Sequence, residues 1–321
     1  MTPPAALLTQ PVDVGHDLNR PECVLCGRDG TVYVPDWRGG VTAIAPDGLQ
    51  ATFTAADGAD LRPNGIAIDR DGSFFLADLG ERGGVWRLER NGRLSPYCIA
   101  VDGRALPPAN FVTGDRAGRV WITVSTSLVP RALGYRPTAA DGFVVVVTDR
   151  GARLAADGLG YTNELVVDPS GDWLYVNETF ARRLSRFRID ASGDLRRRET
   201  VAVFGAGTFP DGLALDADGG IWVVSPVSNR VIRIDAAGRQ DTVVEDADPD
   251  WLEEVEAAFQ GSTMGRPHLD MVRSRRLQNV TSLAFGGPDL RTAYVGCLLG
   301  RTITAWQSTV AGIPLPHWEW T

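Results

Sequence analysis

The segment PDGLALDADGGIWV, residues 210–223, decides the fold. It opens on a polar residue, runs into a short apolar strand, turns at Asp218-Gly219 and continues as a second strand carrying Trp222. Two apolar runs split by a Gly turn read as a β-hairpin. The pattern recurs as PNGIAIDRDGSFFL (63–76) and TNELVVDPSGDWLYV (162–176). Weaker copies are PECVLCGRDGTVYV (21–34), ANFVTGDRAGRVWI (109–122) and VTSLAFGGPDLRTAYV (280–295). Superposition places Glu22, Asn64, Asn110, Asn163, Asp211 and Thr281 at one repeat position, with spacings of 42, 46, 53, 48 and 70 residues.

A strand-rich repeat of about 40–50 residues with Gly turns predicts a β-propeller. The expectation is an all-β, six-bladed propeller with four antiparallel strands per blade, residues 1–321 forming one domain. Blade cores start near 22, 64, 110, 163, 211 and 281, and residues around 5–15 supply a strand that closes the ring on blade six. Later strands are legible as VTAIA, GVWRL, GFVVVV, RLSRFRI, RVIRI and TITAW. Two insertions fall on the face where the repeats begin: 127–142 within blade three and about 241–278 before blade six. The second contains DPDWLEEVEAAFQG, a helix with Asp250 as its cap, either a surface helix or a partial lid.

Composition narrows the chemistry. The 321 residues carry 32 basic and 40 acidic side chains, a formal charge of −8. There is no lysine, and the only histidines are His16, His268 and His317. Schiff-base catalysis, a Gly-Lys-Ser/Thr phosphate loop and histidine-built zinc clusters are thereby excluded or disfavoured. An acidic chain is also a poor partner for nucleic acid. Cys23 and Cys26 form an isolated C-x-x-C in an apolar run and read as buried reduced thiols, as do the unpatterned Cys98 and Cys297. No run of about 18 apolar residues and no basic, apolar leader is visible, so the expectation is a cytoplasmic protein without membrane partner. Asn177-Glu178-Thr179 matches a glycosylation acceptor with no use in that setting, and Arg196-Arg197-Arg198 reads as a solvated turn.

The first strand of each propeller blade lines the central channel, so the superposed position forms a ring of oxygen-bearing side chains. Two carboxylates and several amides suit a hard divalent cation, calcium first, with magnesium, manganese or zinc as alternatives. Such a cation with an open position is a Lewis acid. Trp37, Arg131, Tyr135, Arg136 and His268 lie on the loops of the same face and are candidates for walls or substrate contacts.

These residues resemble the family of regucalcin, gluconolactonase and luciferin-regenerating enzyme, six-bladed propellers, over nearly the whole chain. Its most specific pieces are PECV, PPAN, GYTNELVVDPSGDWLYVNET and FPDGLALDADGGIWV. The resemblance implies a metal held by Glu22, Asn163 and Asp211, Asn110 touching metal or substrate, and lactone hydrolysis. Asn64 joins the substrate side of the ring, and Asp211 is the candidate general base. Diisopropyl fluorophosphatase shares the arrangement. Sugar lactonases of the family carry an Arg two residues before the third-repeat Asn, where this chain has Pro108; that departure weighs against a simple aldonolactone. The functional expectation is a metal-dependent hydrolase acting on a small lactone or ester. The alternatives are phosphotriester hydrolysis and a non-catalytic binding propeller with a structural cation. The sequence leaves the oligomeric state open.

Overall fold

The computed structural model describes residues 6–321 and contains six four-stranded antiparallel sheets. Five are consecutive in sequence, beginning with Leu25–Cys26, Pro63–Ile68, Phe111–Gly114, Thr162–Val167 and Leu213–Leu215 as innermost strands. The sixth is shared between the chain ends. Val280–Gly286, Thr292–Cys297 and Ile303–Ser308 are completed by Leu8–Val14, which pairs antiparallel with Ile303–Ser308. The predicted closing strand is there, and it makes unravelling one terminus equivalent to opening blade six.

The repeat produces this geometry through two local devices. The first is the turn after the innermost strand, where Gly30, Gly72, Gly118, Gly171 and Gly219 take φ between 76° and 87°. Each donates its N–H three residues back, as Gly219 does to Asp216 O at 3.2 Å. Glycine enters this left-handed region without a Cβ penalty. The second is the aromatic on the second strand. Trp121 and Trp222 are fully buried, and their indole N–H groups donate to Asp115 and Asp216, both at 2.8 Å. Burying Asp216 is tolerable because Arg233 Nε and the Gly220 N–H also donate to it, each at 2.7 Å.

The inner strands crowd at the axis. A Cβ on Gly212 would lie 2.4 Å from Thr281 O, and one on Gly65 2.6 Å from Phe111 Cα. Three features lay beyond the sequence reading: a two-stranded hairpin at Ala100–Ala105, a short helix α2 (Pro267–Asp270) after the main helix α1 (Pro249–Gln260), and a C-terminal tail across the lower end of the channel. The tail residues Ile313–Trp318 close a cavity of about 380 Å³ there, with Val166, Leu213, Leu283 and Phe285 as walls. The carboxylates at its edge are committed to turns, Asp115 to Arg119 and Trp121 and Asp168 to Trp173 N–H, so this larger cavity offers no free chemistry.

Helix α1 is amphipathic, with Trp251, Val255 and Phe259 buried at four-residue spacing. Its cap is Asp248, whose side chain accepts the Trp251 N–H at 2.8 Å, not Asp250, because Pro249 occupies the first helical position and the cap is the residue before it, two before Asp250. Twelve residues are marginal as an isolated helix, so packing holds it. Its apolar face meets Tyr135, Phe180, Phe209, Val227 and Leu298 on the blades. Helix α1 is thus packed on the blades, and the insertion acts as a partial lid only through Arg266 and Leu269, which reach the pocket at the end of the channel where the repeats begin.

Candidate metal centre and its pocket

Glu22, Asn64, Asn110, Asn163 and Asp211 line one pocket at the end of the channel where the repeats begin. The sixth ring position does not join them: Thr281 Oγ1 donates to Glu22 O at 2.8 Å and latches blade six to blade one. The connections after the second strands also converge here, through Leu79, Arg131, Tyr135, Thr179, Phe180, Pro226 and Leu298, and the lid adds Arg266 and Leu269. The cavity they enclose is about 50 Å³, room for a few waters and far below the several hundred Å³ of a ligand site. Arg266 and Leu269 of the insertion narrow the cavity from above.

The ring is a chain of amides. Asn64 Nδ2 donates to Asn110 Oδ1 at 2.5 Å, Asn110 Nδ2 to Asn163 Oδ1 at 2.9 Å, and Asn163 Nδ2 to Thr179 Oγ1 at 3.2 Å. This order leaves Asn110 Oδ1 and Asn163 Oδ1 each accepting one hydrogen bond, with a lone pair to spare, and Asn64 Oδ1 is buried with no donor at all. Glu22 engages only Oε2, with Arg20 at 3.1 Å. Among the described residues nothing donates to the Asp211 carboxylate, although the side chain is buried. Burial, then repulsion from Glu22 and Glu164, push its pKa well above the ordinary value despite Arg20 and Arg266. Two repelling carboxylates, under-bonded amide oxygens and an orphaned acceptor form an oxygen-only set with excess negative charge, and a hard divalent cation fits it.

Sequence reasoning missed residues that shape this pocket. Glu164, next to Asn163, is a third buried carboxyl; burial raises its pKa to about 8, and its Oε2 accepts the Leu213 N–H at 3.1 Å. Asn177 is fully buried and donates to Asp211 O and Gly212 O at 2.9 and 3.1 Å. Its role is to fix the backbone of blade five, and no glycan could reach it. Thr179 donates to Pro210 O at 2.8 Å while accepting from Asn163, so the NET segment ties blade four to blade five at the site. The wall also includes Arg20, Tyr161 and Phe209, each two residues before a ring residue. Extending the repeat register by two positions would have found all three. Arg20 and Tyr161 hold φ of 58° and 69°, a strained backbone for side chains with a Cβ, which aims them into the pocket.

Other expectations resolve differently. Arg131 and Tyr135 line the pocket, Tyr135 stacked 4.7 Å from Phe180. Trp37 does not line it; it donates to Pro63 O at 3.1 Å and offers its face to Arg20 at 4.3 Å, propping that arginine from behind. His268 is also outside the lining, because α2 turns it onto Trp251, 5.9 Å away and nearly parallel, with Nδ1 3.0 Å from Gly265 N. Arg136 donates to Ser262 O at 2.5 Å, joining the blade-three insertion to the lid. The four cysteines are free and buried. The triple-arginine run is no patch, since Arg196 and Arg198 pair with Asp194 and Glu178.

The SMP-30/Gluconolactonase/LRE-like region matches residues 21–248. The chain belongs to that family. It is 25% identical over 236 residues to a 6-deoxy-6-sulfogluconolactonase of Pseudomonas putida, covering 72% of this chain and 67% of the relative. To the pentonolactonase XacC of Haloferax volcanii it is 28% identical over 235 residues, covering 72% of this chain and 65% of that protein, just under two thirds. Among solved structures it resembles a calcium-binding protein, regucalcin, of Agrobacterium tumefaciens, with a TM-score of 0.68, 17% identity and 94% of each chain covered. At that identity the likeness speaks to the fold. No helix of the described residues is long and apolar enough to cross a membrane.

Proposed function

We propose that the protein is a lactonase that opens a small lactone with the help of a divalent cation, calcium foremost. Glu22, Asn163 and Asp211 would hold the cation, with Asn110 beside it. The observation that carries this reading is the buried, donor-free Asp211 carboxylate facing Glu22 in a ring otherwise made of amides. When bound, a divalent cation supplies Lewis-acid polarisation of the carbonyl oxygen and stabilises negative charge in the transition state.

The chain's own groups complete the chemistry. Asp211 Oδ is free of hydrogen bonds and open to a water in the pocket, and it takes the proton that the attacking water sheds. Asn110 and Asn64, linked by the hydrogen bond between their side-chain amides, orient the substrate against the ring. The aromatic wall of Tyr135, Tyr161, Phe180 and Phe209 excludes bulk water once the lid closes, which strengthens electrostatic contacts inside. Both curated relatives carry lactonase names, which favours a lactone over a phosphotriester.

The experiment is metal analysis joined to a lactone panel read by proton release, with and without chelator, and to melting with added calcium. Calcium should raise the melting temperature by linkage, and Asp211→Asn should abolish both that rise and the turnover. Activity that survives exhaustive chelation, or an Asp211→Asn enzyme at the parent rate, would sink the proposal; turnover of phosphotriesters alone would replace it with the alternative chemistry.

A further inference from the structure

One cationic side chain of the pocket has no carboxylate partner, and it points to the substrate. Three arginines line it from three separate segments: Arg20 before blade one, Arg131 at the start of the 3-10 turn Arg131–Gly134 in blade three, and Arg266 just before α2. Two have carboxylate partners: Arg20 pairs with Glu22 at 3.1 Å and Arg266 with Asp270 at 2.7 Å. Arg131 bonds only neutral groups among the described residues. Its Nη1 donates to Pro108 O at 3.3 Å, and its Nη2 to Ser125 Oγ at 3.2 Å and Tyr161 OH at 3.0 Å. The guanidinium is half-buried and lies 5.5 Å from the centre of the Tyr161 ring.

These contacts fix where the charge sits. Pro108 is two residues before Asn110 and Tyr161 two before Asn163, so the guanidinium stands on the amide side of the ring, whereas Glu22 and Asp211 belong to blades one and five. Neutral acceptors hold its orientation without cancelling its charge, and the proposed cation would engage the carboxylate left without a partner, Asp211, so nothing in the pocket neutralises this guanidinium. A guanidinium without a carboxylate partner is best satisfied by an oxyanion, and among the described residues its Nε–H and second Nη1–H are still free to donate to one.

We infer that the substrate is a small lactone carrying an oxyanion substituent, a carboxylate, sulfonate or phosphate, with the ring carbonyl at Asp211 and the anion on Arg131, the residue that sets specificity. The inference rests on the lactonase reading above and deepens it. An Arg131 that held only the carboxylate product would serve every lactone equally, so selectivity between lactones separates the two roles.

The test compares kcat/KM for gluconolactone and 6-phosphogluconolactone in the parent, Arg131→Gln and Arg131→Lys proteins, with binding of 6-phosphogluconate followed by calorimetry. The parent should prefer the phosphorylated lactone by about tenfold or more, and Arg131→Gln should cut that preference about 30-fold, the worth of one charge-assisted pair. Arg131→Lys, which keeps the charge but not the fork, should fall between and guards against a variant that simply misfolds. A preference unchanged in Arg131→Gln, or a parent that favours the neutral lactone, overturns the inference. If neither lactone is hydrolysed, the lactonase reading fails, and calorimetry decides the anion site alone. Parent binding weakened at least about tenfold in Arg131→Gln upholds it, and equal or absent binding overturns it.

Discussion

Replacing Glu256 by Gln should loosen the lid while leaving the propeller intact. Glu256 lies on α1 and clamps Arg182 of blade four with both carboxylate oxygens, at 3.0 and 2.5 Å. It also accepts the Gly207 N–H and Gln260 Nε2, each at 2.9 Å. Arg182 is poorly placed to lose this partner. Its guanidinium is sandwiched over Phe259 and Phe209, 4.2 and 4.6 Å from their ring centres, and its Nε is already buried without an acceptor. A Gln side chain keeps the shape and one acceptor but removes the charge. A charged hydrogen-bonded pair contributes about 1.5–3 kcal/mol, and the 21% exposure of Glu256 argues for the lower half, about 2 kcal/mol. The open lid should then be populated about 30-fold more, at tenfold per 1.4 kcal/mol. Hydrogen exchange by mass spectrometry on peptides spanning 250–260 reads this directly, with the innermost strand Pro63–Ile68 as internal reference. Glu253→Gln is the control, since it removes the same charge from an exposed position on the same helix. Acceleration below about threefold, equal acceleration in the reference strand, or the same effect from the control would refute the clamp.

The same clamp has a pH signature. Burial pushes the Glu256 carboxyl up, but bonds from Arg182, Gln260 and the Gly207 N–H outweigh it and hold the pKa at about 2, below its ordinary 4.5. A depressed pKa stabilises the folded form above the ordinary value and is lost as pH falls through the folded one, so lid protection should decline between pH 4.5 and about 2; a flat profile over that window would contradict it. Gly212→Ala should lower stability by about 3 kcal/mol, because its Cβ meets two backbone groups of blade six that cannot step aside; a melting curve superposable on the parent would show the inner strands to be more pliant than described. Asn177→Ala should weaken calcium affinity about tenfold or more by releasing Asp211 O and Gly212 O, with calorimetry as the readout, and unchanged affinity would deny Asn177 a supporting role.

The ring was legible because it is a property of the repeat: one position, read six times, becomes one circle when strands are arranged about an axis. Five of its six members line a single pocket, and only Thr281 turns away, since its hydroxyl finds the Glu22 carbonyl of the neighbouring blade. What the register could not show was which way loop residues turn. His268 and Trp37 lie on the expected face, yet one stacks on Trp251 and the other backs Arg20; those choices depend on neighbours distant in sequence. The supporting role of Asn177 was missed for a related reason. Its motif belongs to exposed loops, but here it falls at the end of a second strand, where the blade interface buries it completely. The Asp248 cap, by contrast, was within reach, since proline at the first helical position marks the residue before it.

The division of labour between ring and lid follows from how each is held. The ring residues of blades two to four are linked by hydrogen bonds between their side-chain amides, and the inner strands pack closely enough to demand glycine, so the geometry of the ring is a property of the whole propeller. The lid rests on one apolar face, the ion pairs of Glu256 with Arg182, Glu245 with Arg230 and Arg276 with Asp13, the Arg136 bond to Ser262 O, and a few caps: Asp248 at its start, and Asp246 accepting the N–H groups of Arg276 and Leu277 where it returns. Elements with few such ties open at low free energy. A cavity of about 50 Å³ lies beneath them, so on the proposed lactonase reading each turnover would include an opening of the lid. On that reading, substitutions in the ring should act on chemistry and cation affinity together, whereas substitutions at Arg182, Glu256 or Phe259 should act on access. A loosened lid that raises kcat would therefore identify opening, not the hydrolytic step, as the slow event.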